Sequence, residues 1–336
     1  MTINHDKKML RDQFGREIVY LRISITDRCN LRCVYCMPEE GVDYSDHDQI
    51  MRYEEIVEVV RVAADHGVRA VRLTGGEPLV RKDVPRLVEM IAAIPNIQDI
   101  SLTTNGILLE EMAASLASAG LNRVNVSLDT LNPDKFKRIT RLGDFNKTWR
   151  GILAAEKYGL TPVKLNTVVI RGINDDELTD LAKLSLDHPW HIRFIELMPV
   201  NNQIPWGPGF PSPEKAYYSV QEMKTTLAPL NLEPVPTDIG FGPAREFRIQ
   251  GGLGTVGFIS PVGNHFCHEC NRLRLTADGN IRPCLLRDVE VPVLPALRAG
   301  EPVLPYLQKA LDLKPAGHKL AENHLPHHRS MQKIGG

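Results

Sequence analysis

Six short apolar runs recur along the first two thirds of the chain: Tyr20–Ile25, Ala70–Thr74, Ile100–Thr103, Val124–Leu128, Val163–Ile170 and Ile192–Leu197. Each predicts a strand. Between them lie segments whose apolar residues fall on one helical face. In Tyr53–Ala64 that face carries Ile56, Val59, Val60 and Ala63. Val84–Ile94, Leu109–Ala119, Thr148–Tyr158 and Asp176–Ser185 follow the same period. Strand alternating with helix predicts a parallel sheet with right-handed crossovers. Six units are too few to close an eightfold barrel, so the α/β expectation is a partial, open (β/α)6 TIM-like barrel. Chemistry in such folds gathers at the C-terminal ends of the strands.

Beyond that rhythm the composition changes. Asn201–Pro213 and Pro234–Pro243 are rich in Pro and Gly and read as loops. Val220–Leu227 reads as a short helix, and Arg245–Ile249 and Thr255–Ser260 as strands. The boundary falls near Asn201–Tyr217, giving a barrel core over 1–200 and a C-terminal region over 201–336. The 336 residues carry a net charge of −1, which gives no global attraction to nucleic acid or an acidic membrane. No apolar run approaches the ~20 residues of a membrane span. Met1–Arg11 is polar and charged, so the reading is cytoplasmic, without membrane or nucleic-acid partners.

The strand ends change the picture most. The first apolar run leads into Cys29-Asn30-Leu31-Arg32-Cys33-Val34-Tyr35-Cys36, a C-x3-C-x2-C loop. Cys33 and Cys36 alone fit a redox dithiol or half a zinc site. With Cys29 they suit an iron–sulfur cluster held by three thiolates, one short of the usual four, which leaves one iron open. The second run ends in Thr74-Gly75-Gly76-Glu77-Pro78, the third in Thr103-Thr104-Asn105-Gly106 and the fourth in Ser127-Leu128-Asp129. Lys164 and Asn166 lie on the fifth, Arg193 and Glu196 on the sixth, and Met198 just beyond.

A second group, Cys267, Cys270 and Cys284, has C-x2-C-x13-C spacing. Arg272 and Arg274 alternate with Leu273 and Leu275, so on a strand they share a face. Asp278-Gly279 marks a hairpin turn that returns the chain through Ile281-Arg282-Pro283 to Cys284. Structural zinc, with His265 or His268 as fourth ligand, and a second three-cysteine cluster both fit this spacing. The arginine forks suit phosphate or carboxylate.

The C-x3-C-x2-C loop with Tyr35 resembles the signature of the radical S-adenosylmethionine enzymes. That resemblance implies a [4Fe–4S] cluster on Cys29, Cys33 and Cys36. Its open iron chelates S-adenosylmethionine, and one electron cleaves the sulfonium to a 5′-deoxyadenosyl radical. Four further stretches narrow the resemblance: Ser24-Ile25-Thr26-Asp27-Arg28-Cys29, Cys270-Asn271-Arg272-Leu273-Arg274-Leu275-Thr276, Lys314-Pro315-Ala316-Gly317-His318 and Ile334-Gly335-Gly336. Together they are similar to the GTP 3′,8-cyclase family of molybdenum cofactor biosynthesis, over essentially the whole chain.

That family implies a second [4Fe–4S] cluster on Cys267, Cys270 and Cys284, whose open iron takes the purine of GTP. It implies S-adenosylmethionine contacts from Tyr35, Gly76, Ser127 and Met198, and GTP contacts from Arg22, Arg72, Thr103, Lys164, Arg272 and Arg274. It places the Gly335-Gly336 tail in the active site near Arg272 and Arg274, giving these four residues catalytic roles. It also implies a flavodoxin or ferredoxin as reductant and cyclic pyranopterin monophosphate synthase as downstream partner, with a homodimer as the assembly it allows. His324, His327 and His328 read as a solvated segment rather than a metal site.

Overall fold

The computed structural model describes residues 9–200, 206–236, 242–263, 265–320 and 329–334. The α/β rhythm is present as β1 (Tyr20–Ser24), α1 (Tyr53–Asp65), β2 (Ala70–Thr74), α2 (Val84–Ala92), β3 (Asp99–Thr104), α3 (Leu109–Ser118), β4 (Arg123–Ser127), α4 (Pro133–Thr140), α5 (Phe145–Lys157), β5 (Lys164–Val169), α6 (Leu178–Asp187) and β6 (His191–Glu196). Then come α7 (Val220–Thr226), β7 (Glu233–Pro234), β8 (Arg245–Arg248), β9 (Thr255–Ile259), β10 (Arg272–Leu275), β11 (Asn280–Arg282), β12 (Val291–Pro292), α8 (Leu294–Arg298), α9 (Leu304–Asp312) and α10 (Met331–Ile334).

Local chemistry explains where helix edges depart from the apolar pattern. α5 starts three residues before Thr148 because Asp144 accepts from the amides of Asn146 and Lys147. The Asp176–Ser185 pattern divides into a 3-10 turn over Asp175–Glu177 and α6. α4 lacks a long apolar period, yet Asn132 caps it through the amides of Asp134 and Lys135, and Pro133 opens its first turn. Ser219 and Glu222 form a capping box on α7.

Among the described residues the strands form one 12-stranded sheet, in the order β12-β11-β10-β1-β2-β3-β4-β5-β6-β9-β8-β7. β1 to β6 are the parallel partial barrel. Two strands from beyond residue 200 extend it in parallel: β10 pairs with β1 and β9 with β6. The β10–β11 hairpin carries the second thiol group to one edge, and β8–β9 closes off the other. At the hairpin turn Gly279 has φ +72, and a Cβ there would lie 2.3 Å from the Leu294 side chain, so both backbone and space require glycine.

Alternation along each strand divides the sheet's two faces. Leu21, Ile23, Val71, Leu73, Leu102, Val124, Val126, Leu165, Ile192, Phe194 and Val256 pack on Val59, Val60, Leu87, Ile91, Leu116, Ile152 and Leu181 of the helices. Each such burial contributes roughly 1.5–3 kcal/mol. The opposite face is polar. Register aligns Arg282, Arg274, Arg22, Arg72, Ser101 and Arg123 across adjacent strands. A second row runs through Thr103, Asn125, Lys164, His191 and Thr255. Side chains opposite each other in register share a face. The hollow of the half-barrel is therefore lined with hydrogen-bonding and charged groups.

Candidate active site

The first thiol loop is held by backbone. Arg32 and Val34 donate their amides to the carbonyls of Thr140 and Ile139 at the C-terminal end of α4. Arg141 donates to the carbonyls of Arg32, Met37 and Trp206. The amide of Glu77 donates to Arg28 O, and a Cβ on Gly76 would lie 2.4 Å from that same oxygen. Glycine is thus what lets the Gly75-Gly76 turn lie against the cysteine loop. Glu77 accepts from Thr104 Oγ1 and the amides of Leu79 and Asn105, tying that turn to the end of β3. Burial pushes the Glu77 carboxyl up to about 7 despite those donors.

Cys29, Cys33 and Cys36 are free thiols on one cavity of about 210 Å³. Burial pushes Cys29 up to about 11 and Cys36 up to about 12. Tyr35 Oη donates to Asp129 Oδ2 at 2.7 Å, while Asp129 also accepts from the amide of Val168. Tyr35, Gly76, Ser127 and Met198 all line this cavity. Thr103, expected against GTP, lines it too. Three soft donors on one short loop fit a three-thiolate iron–sulfur cluster.

Cys267, Cys270 and Cys284 line a smaller cavity of about 80 Å³ with Arg272 and Arg274. Its surroundings are cationic. Lys314 Nζ lies 3.4 Å from Cys270 Sγ and donates to the carbonyls of Arg272 and Pro283. Burial opposes ionisation of Cys270, yet the charges of Lys314 and Arg272 outweigh it and hold the thiol below its usual range. His265, Cys267 and His318 bring donor atoms within 4.8 Å of one another. His268 instead lies out beside Glu269.

Between the two thiol groups the barrel face gathers Arg22, Arg72, Arg123, Lys164, Arg193, Arg272 and Arg274 with the carboxylates Asp99 and Glu246. Arg123 pairs with Asp99. Arg193 Nη2 meets Glu246 Oε1 at 2.5 Å, and His191 lies on the same carboxylate. Burial opposes ionisation of Glu246, but the His191 hydrogen bond and the Arg193 charge outweigh it and bring it down to about 2. Burial, then the charges of Arg193, Arg123 and Arg72, brings Lys164 down to about 6. Desolvation, then the charge of Arg272, lowers Arg274 to about 10. Tyr20 offers its ring to Arg72 and Arg272 at 5.5 and 6.0 Å. Thr103 Oγ1, Asn125 Oδ1, Asn166 Oδ1 and Arg193 Nε are buried without a hydrogen-bond partner among the described residues. Such an excess of desolvated cation and unsatisfied polar atoms suits a polyanionic, hydrogen-bonding ligand.

A cavity of about 590 Å³ joins the parts: it shares Glu196 with the first cavity and Arg272 with the second. Sequence reasoning did not select Arg123, Asp99, Asn125, His191 or Glu246. The signal was the polar residue at alternate positions of strands read only as apolar runs. Gly335 and Gly336, and His324, His327 and His328, lie outside the described residues.

Residues 23–185 match the Radical SAM superfamily, and residues 190–320 match Molybdenum Cofactor Synthesis C. A GTP 3′,8-cyclase of Moorella thermoacetica is 52% identical over 331 residues, covering 97% of this chain and 100% of that one. One of Listeria monocytogenes is 45% identical over 337 residues, covering 98% and 100%. The crystal structure of Streptococcus suis SuiB bound to S-adenosylmethionine shares the fold, with TM-score 0.58 and 15% identity over 80% of this chain and 60% of that one. The chain therefore belongs to the GTP 3′,8-cyclase family, within the radical S-adenosylmethionine superfamily. That superfamily is defined by a [4Fe–4S] cluster and S-adenosylmethionine, the cofactors that the Cys29–Cys36 loop fits. No helix among the described residues is long and apolar enough to cross a membrane.

Proposed function

We propose that the protein converts GTP to (8S)-3′,8-cyclo-7,8-dihydroguanosine 5′-triphosphate, using S-adenosylmethionine, as the first step of molybdenum cofactor biosynthesis. The observation that carries this reading is the cationic, desolvated barrel face lying between two separate three-thiol sites. A [4Fe–4S] cluster held by Cys29, Cys33 and Cys36 would supply the electron that cleaves S-adenosylmethionine with release of methionine. The ribose C3′ hydrogen would leave in 5′-deoxyadenosine, C3′ would bond to guanine C8, and one further electron and a proton from the reductant would complete the dihydroguanine ring.

The chain's own residues bind, orient and exclude water. Tyr35, fixed by Asp129, Gly76, Ser127 and Met198 hold S-adenosylmethionine in the 210 Å³ cavity beside Cys29, Cys33 and Cys36. Arg22, Arg72, Lys164, Arg272 and Arg274 hold the nucleotide's triphosphate, with Thr103 towards its ribose. Cys267, Cys270 and Cys284 hold a second [4Fe–4S] cluster against which the purine docks. Gly335 and Gly336 share the catalytic role with Arg272 and Arg274. The reductant is a small one-electron carrier of the flavodoxin or ferredoxin kind, and the product passes to cyclic pyranopterin monophosphate synthase.

The test is anaerobic. The protein is loaded with iron and sulfide and incubated with dithionite, S-adenosylmethionine and GTP. 5′-Deoxyadenosine, and a cyclised nucleotide that forms only when GTP is present, are the expected products by mass spectrometry. Deoxyadenosine without cyclised nucleotide overturns the substrate. Zinc on His265, Cys267 and His318 in place of iron overturns the second cluster.

A further inference from the structure

The C-terminal helix α10 reaches into the first cavity. Met331 and Gln332 line it together with Cys29, Cys33 and Cys36. Gln332 is 2% exposed, and among the described residues neither Nε2 nor Oε1 of its carboxamide has a hydrogen-bond partner. Its backbone amide lies against the Cys36 thiol. A buried primary amide with both ends unsatisfied is costly, on the order of 1–3 kcal/mol per group, unless a ligand completes it.

The position is enforced from outside. Arg329, three residues earlier, is held by two carboxylates: its Nη atoms donate to Asp278 at 2.8 and 3.0 Å, and its Nε and Nη2 donate to Glu290 at 2.6 and 2.8 Å. Asp278 sits in the β10–β11 turn and Glu290 beside the buried Arg282. Ile334 is buried as well. The segment is thus latched to the hairpin on one side and enters the first cavity on the other.

We propose that Gln332 is a cofactor-contacting residue, its carboxamide donating to and accepting from S-adenosylmethionine, with Arg329 as the positioning residue that docks it. This rests on the reading of the cavity as the S-adenosylmethionine site. The ligand class follows from the amide: it needs a partner offering acceptor and donor together, as the amino, carboxylate and adenine groups of S-adenosylmethionine do. The docked C-terminal segment then forms part of the wall of the first cavity, which links cofactor binding to the hairpin that precedes Cys284.

The test is S-adenosylmethionine affinity of the cluster-loaded protein, read by equilibrium dialysis, together with hydrogen exchange over 329–334 with and without S-adenosylmethionine. Gln332→Leu removes the carboxamide at similar volume. It is expected to weaken binding about tenfold, leave exchange of the ligand-free segment unchanged, and abolish the extra protection that S-adenosylmethionine gives the unaltered protein. Arg329→Ala is expected to raise exchange over 329–334 without ligand and to weaken binding at least as much. Gln332→Leu binding within twofold of the unaltered protein overturns the proposal. So does Gln332→Leu with raised exchange in the ligand-free state, because the carboxamide then packs the segment rather than holding a ligand. If the unaltered protein itself fails to bind S-adenosylmethionine, the cavity assignment falls first, and this proposal with it.

Discussion

The two thiol groups are built from the same residue type in opposite electrostatic settings. Around Cys29, Cys33 and Cys36 the acids Glu77 and Asp129 face the thiols, with Arg32 acting on Cys29 in the opposite sense, and burial drives all three thiols upward. Around Cys267, Cys270 and Cys284 the ionisable neighbours include Lys314, Arg272 and Arg274; burial raises Cys267 and Cys284 here too, but the neighbouring cations hold Cys270 below its usual range. The first setting suits a site that takes a cationic sulfonium; the second suits one that meets a polyanion. One centre for generating a radical and one for seating its target is the division of labour this contrast supports.

The sharpest break of the comparison is to remove one thiol from each. Cys33→Ser is expected to reduce both 5′-deoxyadenosine and cyclised nucleotide to background. Cys284→Ser is expected to lose only the cyclised nucleotide, with S-adenosylmethionine cleavage retained and iron content reduced. A cluster-bearing Cys284→Ser variant that still cyclises GTP would remove the case for a substrate role at the second site.

Lys314 sharpens the same contrast from the supporting shell. It holds Arg272 O and Pro283 O from its buried ammonium, next to Cys270. Lys314→Met keeps the stem and removes those donors. Outer-shell partners of metal ligands are commonly worth about 10–100-fold in metal affinity or activity. The expected outcome is a loss of that size in cyclised nucleotide, with cleavage of S-adenosylmethionine largely kept. Equal loss of both products would mean that Lys314 supports the whole edge of the sheet instead.

The barrel between the sites is tested through protons. Lys164 sits at about 6 in the ligand-free fold, so near pH 8 it is largely neutral. A bound triphosphate favours the ammonium, so binding takes up a proton between about pH 6 and the raised value. Affinity for GTP is then expected to improve as pH falls from 9 to 7, by up to about tenfold per unit. Lys164→Met is expected to bind more weakly and to lose that part of the slope, measured by calorimetry in buffers of different ionisation enthalpy. The sign for stability is the reverse. Between about 6 and the usual lysine range the unfolded chain holds a proton that the fold has lost, so this residue's contribution to stability rises with pH. An unchanged pH slope in Lys164→Met would place the triphosphate elsewhere.

Much of this was legible in the sequence because it is local. Apolar runs marked β1 to β6, and spacing marked both cysteine groups and the β10–β11 hairpin. What escaped is non-local. Nothing in Thr255–Ser260 says that it pairs beside β6, or in Arg272–Leu275 that it pairs beside β1, because register between distant segments is set by packing on both. The same holds for Arg123 and Glu246, polar residues whose partners lie 24 and 53 residues away along the chain. Gln332 had no signal except proximity to the terminal glycines.

The smallest expected effect concerns α4, the helix under the first loop. Its C-terminal carbonyls at Ile139 and Thr140 receive the amides of Val34 and Arg32, while its N-terminus is capped by Asn132 at the other end of the helix. Asn132→Ala removes the cap, which costs roughly 0.5–2 kcal/mol. For a chain of this size that is a fall in Tm of about 1–3 °C. Frayed turns lie at the end opposite the loop, so S-adenosylmethionine affinity is expected to stay within twofold. A tenfold loss of affinity at unchanged Tm would mean that α4 moves as one body with the cysteine loop. The first site would then depend on a helix cap as directly as the second depends on Lys314.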